Sequence, residues 1–378
     1  MKYNLADICE YAKGKVDVAI LDDETYISTE NMMPNKGGIT SASSLPTIAQ
    51  TQVFLAGDVL VSNIRPYFKK IWFAEFDGGC SNDVLVFRAK DGVSKRFLYY
   101  VLSDDTFFDY SMATSKGTKM PRGDKAAIMK YEVPDFTYEE QEKIAGVLEA
   151  LDRKIQLNTE INENLLQQAQ SIFTQEFLVL DTIPDGWQES SLLGIADYLN
   201  GLAMQKYRPK DDEQGLPVLK IKELRQGSCD SNSELCSPSI KPEYIVHDGG
   251  VIFSWSGSLL VDLWCGGTCG LNQHLFKVTS STYDKWFYYA WTNHHLQKFA
   301  AIAADMATTM GHIKREELAK AEVLIPSQSD YDRIGGLLAP LYDLVIANRI
   351  ENRKLASLRD ELLPQLMSGQ LDVSEVSI

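Results

Sequence analysis

Short apolar runs bounded by glycine and aspartate give way to long stretches of heptad spacing, and this alternation occurs twice. In the first half Val59-Leu60-Val61, Ile71-Trp72-Phe73 and Val84-Leu85-Val86-Phe87 are brief, β-branched and aromatic. Such runs predict strands. One helical stretch is predicted near Lys95–Tyr110. Val133-Pro134-Asp135-Phe136 breaks the pattern, and Thr137-Tyr138-Glu139-Glu140 then has the hydroxyl and carboxylate spacing of a capping box. Beyond it Ile144, Leu148, Leu151, Ile155, Asn158, Asn162, Leu165, Ala169 and Ile172 alternate by four and three. That is the seam of a long helix that pairs with another.

The second half repeats the plan. Ile183-Pro184-Asp185-Gly186-Trp187 opens it, strands are predicted at Val251-Ile252-Phe253 and Leu275-Phe276-Lys277-Val278, and a helix near Asp284–Ala303. After Ile325-Pro326, the segment Ser329-Asp330-Tyr331-Asp332 is expected to cap a second long helix. Its seam reads Ile334, Leu338, Leu341, Val345, Asn348, Asn352, Leu355, Arg359 and Leu362. Pro340 should kink this helix or start it, and Pro364 and Gly369 should end it. Laid side by side, Gln141–Leu148 and Tyr331–Leu338 correspond at an offset of 190 residues. The same offset returns at Phe97/Phe287 and Met120/Met310 and slips to 192 at Gly57/Gly249. The chain is an internal twofold repeat. Antiparallel pairing of the long helices sets Asn158 against Asn352 and Asn162 against Asn348, polar pairs that fix register. The expected architecture is α+β: two mixed α/β domains, separated by two long antiparallel helices forming a coiled-coil spacer. The boundaries are 1–132, 133–180, 181–325 and 326–378.

Composition narrows the class. The 378 residues are 44% hydrophobic, which suits ordered globular domains. No run approaches a membrane span, and the amino terminus carries no cleavage signal, so a cytoplasmic protein without a membrane partner is expected. The net charge is −15, but unevenly spread. Residues 1–130 carry sixteen basic and sixteen acidic side chains, residues 133–180 three and nine, and residues 321–378 five and nine. The acidity sits on the helical segments, which leaves the globular parts free to meet a polyanion. Cys265-Gly266-Gly267-Thr268-Cys269 has a spacing that zinc tolerates, with Cys229, Cys236 or His274 to complete the ligands. The first half lacks matching cysteines, so free thiols and no metal are expected.

A catalytic constellation is not found. The chain has no amino-methyltransferase dipeptide, no glycine-rich cofactor or phosphate loop, no nuclease Glu-x-Lys arm and no nucleophile elbow. What stands out is basic loops. Arg65-Pro66-Tyr67-Phe68-Lys69-Lys70 is one, with Arg65, Lys69 and Lys70 as candidates. Ser115–Lys125 is another: Lys116, Lys119 and Arg122 supply charge, while Gly117 and Thr118 let backbone approach a phosphate. The equivalent stretch of the second half, Ala307–Arg315, offers Thr308, Thr309, His312 and Lys314, and a further loop offers Lys206, Arg208 and Lys210.

Three segments together resemble one family. Leu358-Arg359-Asp360-Glu361-Leu362-Leu363-Pro364-Gln365-Leu366-Met367-Ser368-Gly369-Gln370-Leu371 is similar to the distal conserved region of type I restriction-modification specificity subunits. Glu140–Ala145 through Leu157–Leu165 resembles their central region, and Ile183–Trp187 the entry to a target recognition domain. The first domain lacks a Pro-x-Gly-Trp entry. The resemblance implies two target recognition domains, each reading one half of a bipartite site in double-stranded DNA. It implies helices that set the spacer, near one turn or roughly 34 Å of DNA. They would also dock two modification subunits, which bring S-adenosylmethionine for adenine methylation; restriction and motor subunits would complete the complex. The chain itself would be non-catalytic and hold no cofactor. A coiled-coil scaffold with two protein-binding units and a self-sufficient DNA enzyme are the rival readings.

Overall fold

The computed structural model describes residues 3–305 and 313–373. The chain divides into two compact units, Met1–Arg153 with Leu355–Ile378, and Lys154–Lys354. Both divisions fall inside the long helices, so each unit contains the beginning of one helix and the end of the other.

Each unit is built on the same two sheets. In the first, one sheet orders Cys9–Tyr11, Val84–Ala89, Val59–Ser62 and Ile71–Phe73, all antiparallel. In the second unit Asp197–Asn200, Leu275–Thr279, Gly250–Ser254 and Leu260–Trp264 follow the same order and direction. Four of the five predicted apolar runs are the inner strands, since a strand covered on both faces reads as continuous hydrophobic sequence, and the fifth, Ile71–Phe73, is an edge strand. The other sheet centres on a short strand rich in glycine, Gly78–Cys80 or Cys269–Leu271. It is flanked by one parallel neighbour (Tyr26–Ile27 or Leu216–Leu219) and one antiparallel neighbour (Gln50–Phe54 or Ile245–Val246). The two sheets of this kind differ in their fourth strand. Lys15–Asp17 joins the antiparallel neighbour in the first, and Leu235–Cys236 joins the parallel one in the second.

The helical stretches expected near Lys95–Tyr110 and Asp284–Ala303 are each two helices. Lys95–Ser103 ends at Asp104, whose extended backbone and carboxylate cap Asp105–Ala113 through the Thr106 amide at 2.7 Å. Lys285–His294 likewise ends at His295, which donates to the Glu322 carbonyl at 2.8 Å before Leu296–Asp305 begins.

The first long helix, Tyr138–Phe173, opens on the expected capping box: the Glu140 amide donates to Thr137 Oγ1 and the Thr137 amide returns to Glu140 Oε2 at 2.7 Å. The second runs unbroken from Gln328 to Met367. Its cap is Ser327, not Ser329, because Ser327 Oγ takes the Asp330 amide and donates to the Asp330 carboxylate. Pro340 does not begin the helix. The carbonyl deprived of a donor belongs to exposed Gly336, where water can serve. Pro364 lies within the last turns, and the end comes at Gly369. There a left-handed backbone (φ +71°) closes bonds from Gly369 to Leu366 and from Gln370 to Gln365, a Schellman motif.

Each unit's core takes up both kinds of helix end. Ile144, Leu148, Leu363 and Leu366 are buried in the first, and Phe173, Phe177, Ile334 and Leu338 in the second. Burying each such side chain is worth roughly 1.5–3 kcal/mol, so the helices are core elements of the domains they join.

Candidate nucleic-acid interface

In the first unit the two basic loops are one site. The Arg65 amide donates to the Pro121 carbonyl at 2.8 Å, and Arg122 bridges to Ile64 on one side and to Lys116 on the other. Gly117 turns the second loop with φ +94°. Gly123 closes it for a different reason: a Cβ there would lie 2.8 Å from Ile128 and 2.9 Å from Asn63 and Ser111. A third loop, absent from the sequence expectations, joins them. The Asn35 and Lys36 amides donate to the Phe68 and Lys69 carbonyls, each at 2.8 Å. Asn35, Lys36, Arg65 and Lys69 all have left-handed backbones, a conformation costing an L-residue roughly 1–2 kcal/mol. Only the turn chemistry of Asn35-Lys36-Gly37-Gly38 could have signalled this loop.

The cations of the site are mostly paired. Lys69 and Lys36 reach opposite oxygens of Asp105, at 2.7 and 3.0 Å. Burial pushes the Asp105 carboxyl up, but the two ammonium groups outweigh it and hold it below its ordinary value. Lys116 pairs with Asp124 at 2.5 Å, and Arg122 with Asp83 at 3.2 Å. Lys70 turns inward, donating to the Thr29 carbonyl at 2.6 Å, and partial burial lowers its pKa. Thr118 and Lys119 are exposed at the loop tip. Exposed ion pairs are worth about 0–1 kcal/mol, so a phosphate can displace these carboxylates at little cost.

The second unit holds its candidates apart. Lys206 ends a short 3-10 turn, Arg208 pairs with Glu234, which also holds Lys220, and the Lys210 amide donates to Glu213 at 3.2 Å. Lys314 is exposed at the start of Arg315–Ala319. Next to it Ile313 donates to the Trp255 carbonyl at 3.0 Å, matching Gly123 to Asn63 in the first unit. Among the described residues no hydrogen bond or ion pair joins the Lys206–Lys210 loop to Lys314. Thr308, Thr309 and His312 lie outside the described residues.

Within the second unit the long helices run antiparallel. Asn158 donates to Asn352 and Asn348 to Asn162, each at 2.9 Å. Asn158 also reaches Glu351 at 2.6 Å, and Asn352 returns to the Ile155 carbonyl. The polar seam is therefore two hydrogen-bonded groups, one around Asn158 and Asn352 and the other the pair Asn162 and Asn348. The helix is tied to the domain by Arg353, bidentate on Asp248 at 2.7 and 2.8 Å, and by Arg349 on Asp262 at 2.7 Å. In the first unit Asp152 plays the receiving part, accepting from Arg359 at 2.7 Å and Tyr100 at 2.8 Å.

The six cysteines are free thiols, and among the described residues no group of three or more His, Cys, Asp or Glu is placed to hold a metal ion. No described helix is long and apolar enough to cross a membrane.

Known proteins share this pattern. Residues 1–167 match the family model for the type I restriction modification DNA specificity domain. The type I restriction enzyme MjaIX specificity subunit of Methanocaldococcus jannaschii is 26% identical over 309 residues, 76% of this chain and 71% of that one. The HindI specificity subunit of Haemophilus influenzae is 19% identical along 98% of this chain and 99% of its own length. The crystal structure of a type I restriction-modification S subunit from M. genitalium has the same fold, with a TM-score of 0.57 at 14% identity over 97% of this chain and 96% of that one. Residues 1–167 thus match the type I restriction modification DNA specificity domain, and the chain is similar along most of its length to type I restriction enzyme specificity subunits.

Proposed function

We propose that the chain is the DNA sequence-recognition subunit of a type I restriction-modification complex. Each unit reads one half of a bipartite site in double-stranded DNA, and the paired helices set the spacer and dock two modification subunits. The chain is itself non-catalytic. S-adenosylmethionine and adenine methylation belong to the modification subunits, and cleavage to restriction and motor subunits.

The observation that carries this reading is the three-loop cluster of the first unit, set in a domain whose topology recurs in the second. Lys36, Lys69, Lys116, Lys119 and Arg122 gather on one loop surface of a chain whose net charge is −15. Phosphate contacts from such groups give register and affinity, and base edges give sequence. The test is methylome sequencing of a host carrying this gene with its modification partner, against a strain lacking only this chain. Loss of one bipartite methyladenine motif supports the reading. An unchanged methylome with the partner expressed overturns it in favour of a protein-binding scaffold.

A further inference from the structure

Among the described residues the left-handed non-glycine positions are Asn35, Lys36, Arg65 and Lys69, and all four fall in the clamped loops of the first unit. The corresponding turn of the second unit follows the strand Gly250–Ser254 and is made by Gly257, at φ +67°. Glycine adopts that backbone freely. The first unit puts arginine there instead, at φ +50°, and accepts the strain. Strain of this kind collects where a side chain has work to do.

The Arg65 side chain has the freedom its neighbours lack. Lys36, Lys69, Lys116 and Arg122 are each held by a carboxylate. Arg65 makes no ion pair or side-chain hydrogen bond among the described residues, and its Nε is buried without a partner. Its backbone is fixed at both ends, the amide to Pro121 at 2.8 Å and the carbonyl from the Phe68 amide at 2.9 Å. Arg65 lines a cleft of about 530 Å³ together with Ser28, Ser44, Ser81, Lys70 and the acidic residues Glu30 and Asp83, neither of which pairs with it. A rigidly based guanidinium left unpaired in a polar cleft is equipped for a planar pair of acceptors.

We infer that Arg65 is the specificity-determining residue of the first unit, reading a guanine edge bidentate through its O6 and N7, while Lys69, Lys116, Lys119 and Arg122 hold phosphates. This assignment rests on the DNA-recognition reading proposed above. The test uses the full chain in complex with its modification subunits and duplexes in which each base pair of the bipartite site is replaced in turn. Arg65→Gly removes the guanidinium and relieves the backbone, so its melting temperature should equal or exceed the parent's. Discrimination at one G·C pair of one half-site should fall by about 5- to 150-fold, with every other position unchanged. Lys119→Ala should instead weaken all duplexes alike and reduce the slope of log K against log salt by about one. Full discrimination retained at every pair by Arg65→Gly, or uniform weakening without a positional effect, overturns the assignment. If the parent complex prefers no sequence at all, the recognition reading fails instead, and the two failures are distinguishable.

Discussion

An asparagine in a helix seam is tolerable only while its amide is satisfied. Asn348 and Asn162 are 9% and 6% exposed and bonded to each other at 2.9 Å. Asn348→Ala should therefore cost about 1–3 kcal/mol in urea denaturation, since it strands a buried amide. Replacing both residues by leucine should recover that loss while weakening the register. A second residue-scale expectation concerns acid. The bidentate Arg353 guanidinium holds the Asp248 carboxyl below its ordinary value of 3.8. A depressed folded pKa contributes stability that is complete above the unfolded value and is lost as pH falls through the folded one. The melting temperature should decline below about pH 4, and Asp248→Asn should start lower at neutral pH and decline less. A decline of equal steepness in the variant would remove Asp248 from the cause. At this scale the sequence was partly readable: the heptad position of Asn158 and Asn352 implied their pairing, because spacing alone fixes the helix face. The left-handed backbone of Lys36 and Arg65 was not readable, because it is imposed by the loops clamped on either side.

Element boundaries follow the same division between local and distant causes. The capping box at Thr137–Glu140 is local chemistry and could be read directly, as could the inner strands Val59–Ser62 and Val84–Ala89. The cap of the second long helix was misplaced because Ser327 and Ser329 both offer a hydroxyl ahead of acidic residues. Asp330 decides between them, since its carboxylate also receives Trp187 Nε1 at 3.0 Å from the other end of the unit. Ser327→Ala should cost about 1 kcal/mol, and Ser329→Ala much less, by thermal or urea melts. Equal losses would restore Ser329 as the cap. The small second sheet left little trace because its central strand in the first unit is Gly78–Cys80. A Cβ at Gly79 would sit 2.5 Å from Leu21 and 2.7 Å from Thr51. That strand exists through the closeness of its neighbours, which no local apolar pattern records.

At the scale of the molecule, the repeat at 190 residues was visible in the long helices and is now visible in the sheets. Two units that share the order and direction of one four-stranded sheet but differ in their loops suit a target with two different halves. The basic residues were visible too, but their assembly into one surface of the first unit depended on the Ile64, Lys116 and Arg122 bridges. Charge composition alone pointed the other way, because the acidic side chains are concentrated in the helical segments. Independent reading by the two units can be tested by exchange. Residues 1–132 would be replaced by the matching segment of a type I specificity subunit, and the methylome of the host sequenced with the modification subunit present. One half of the methylated motif should change while the other half persists. Simultaneous change of both halves, or a motif unaltered by the exchange, would contradict a chain whose two units each read their own half-site.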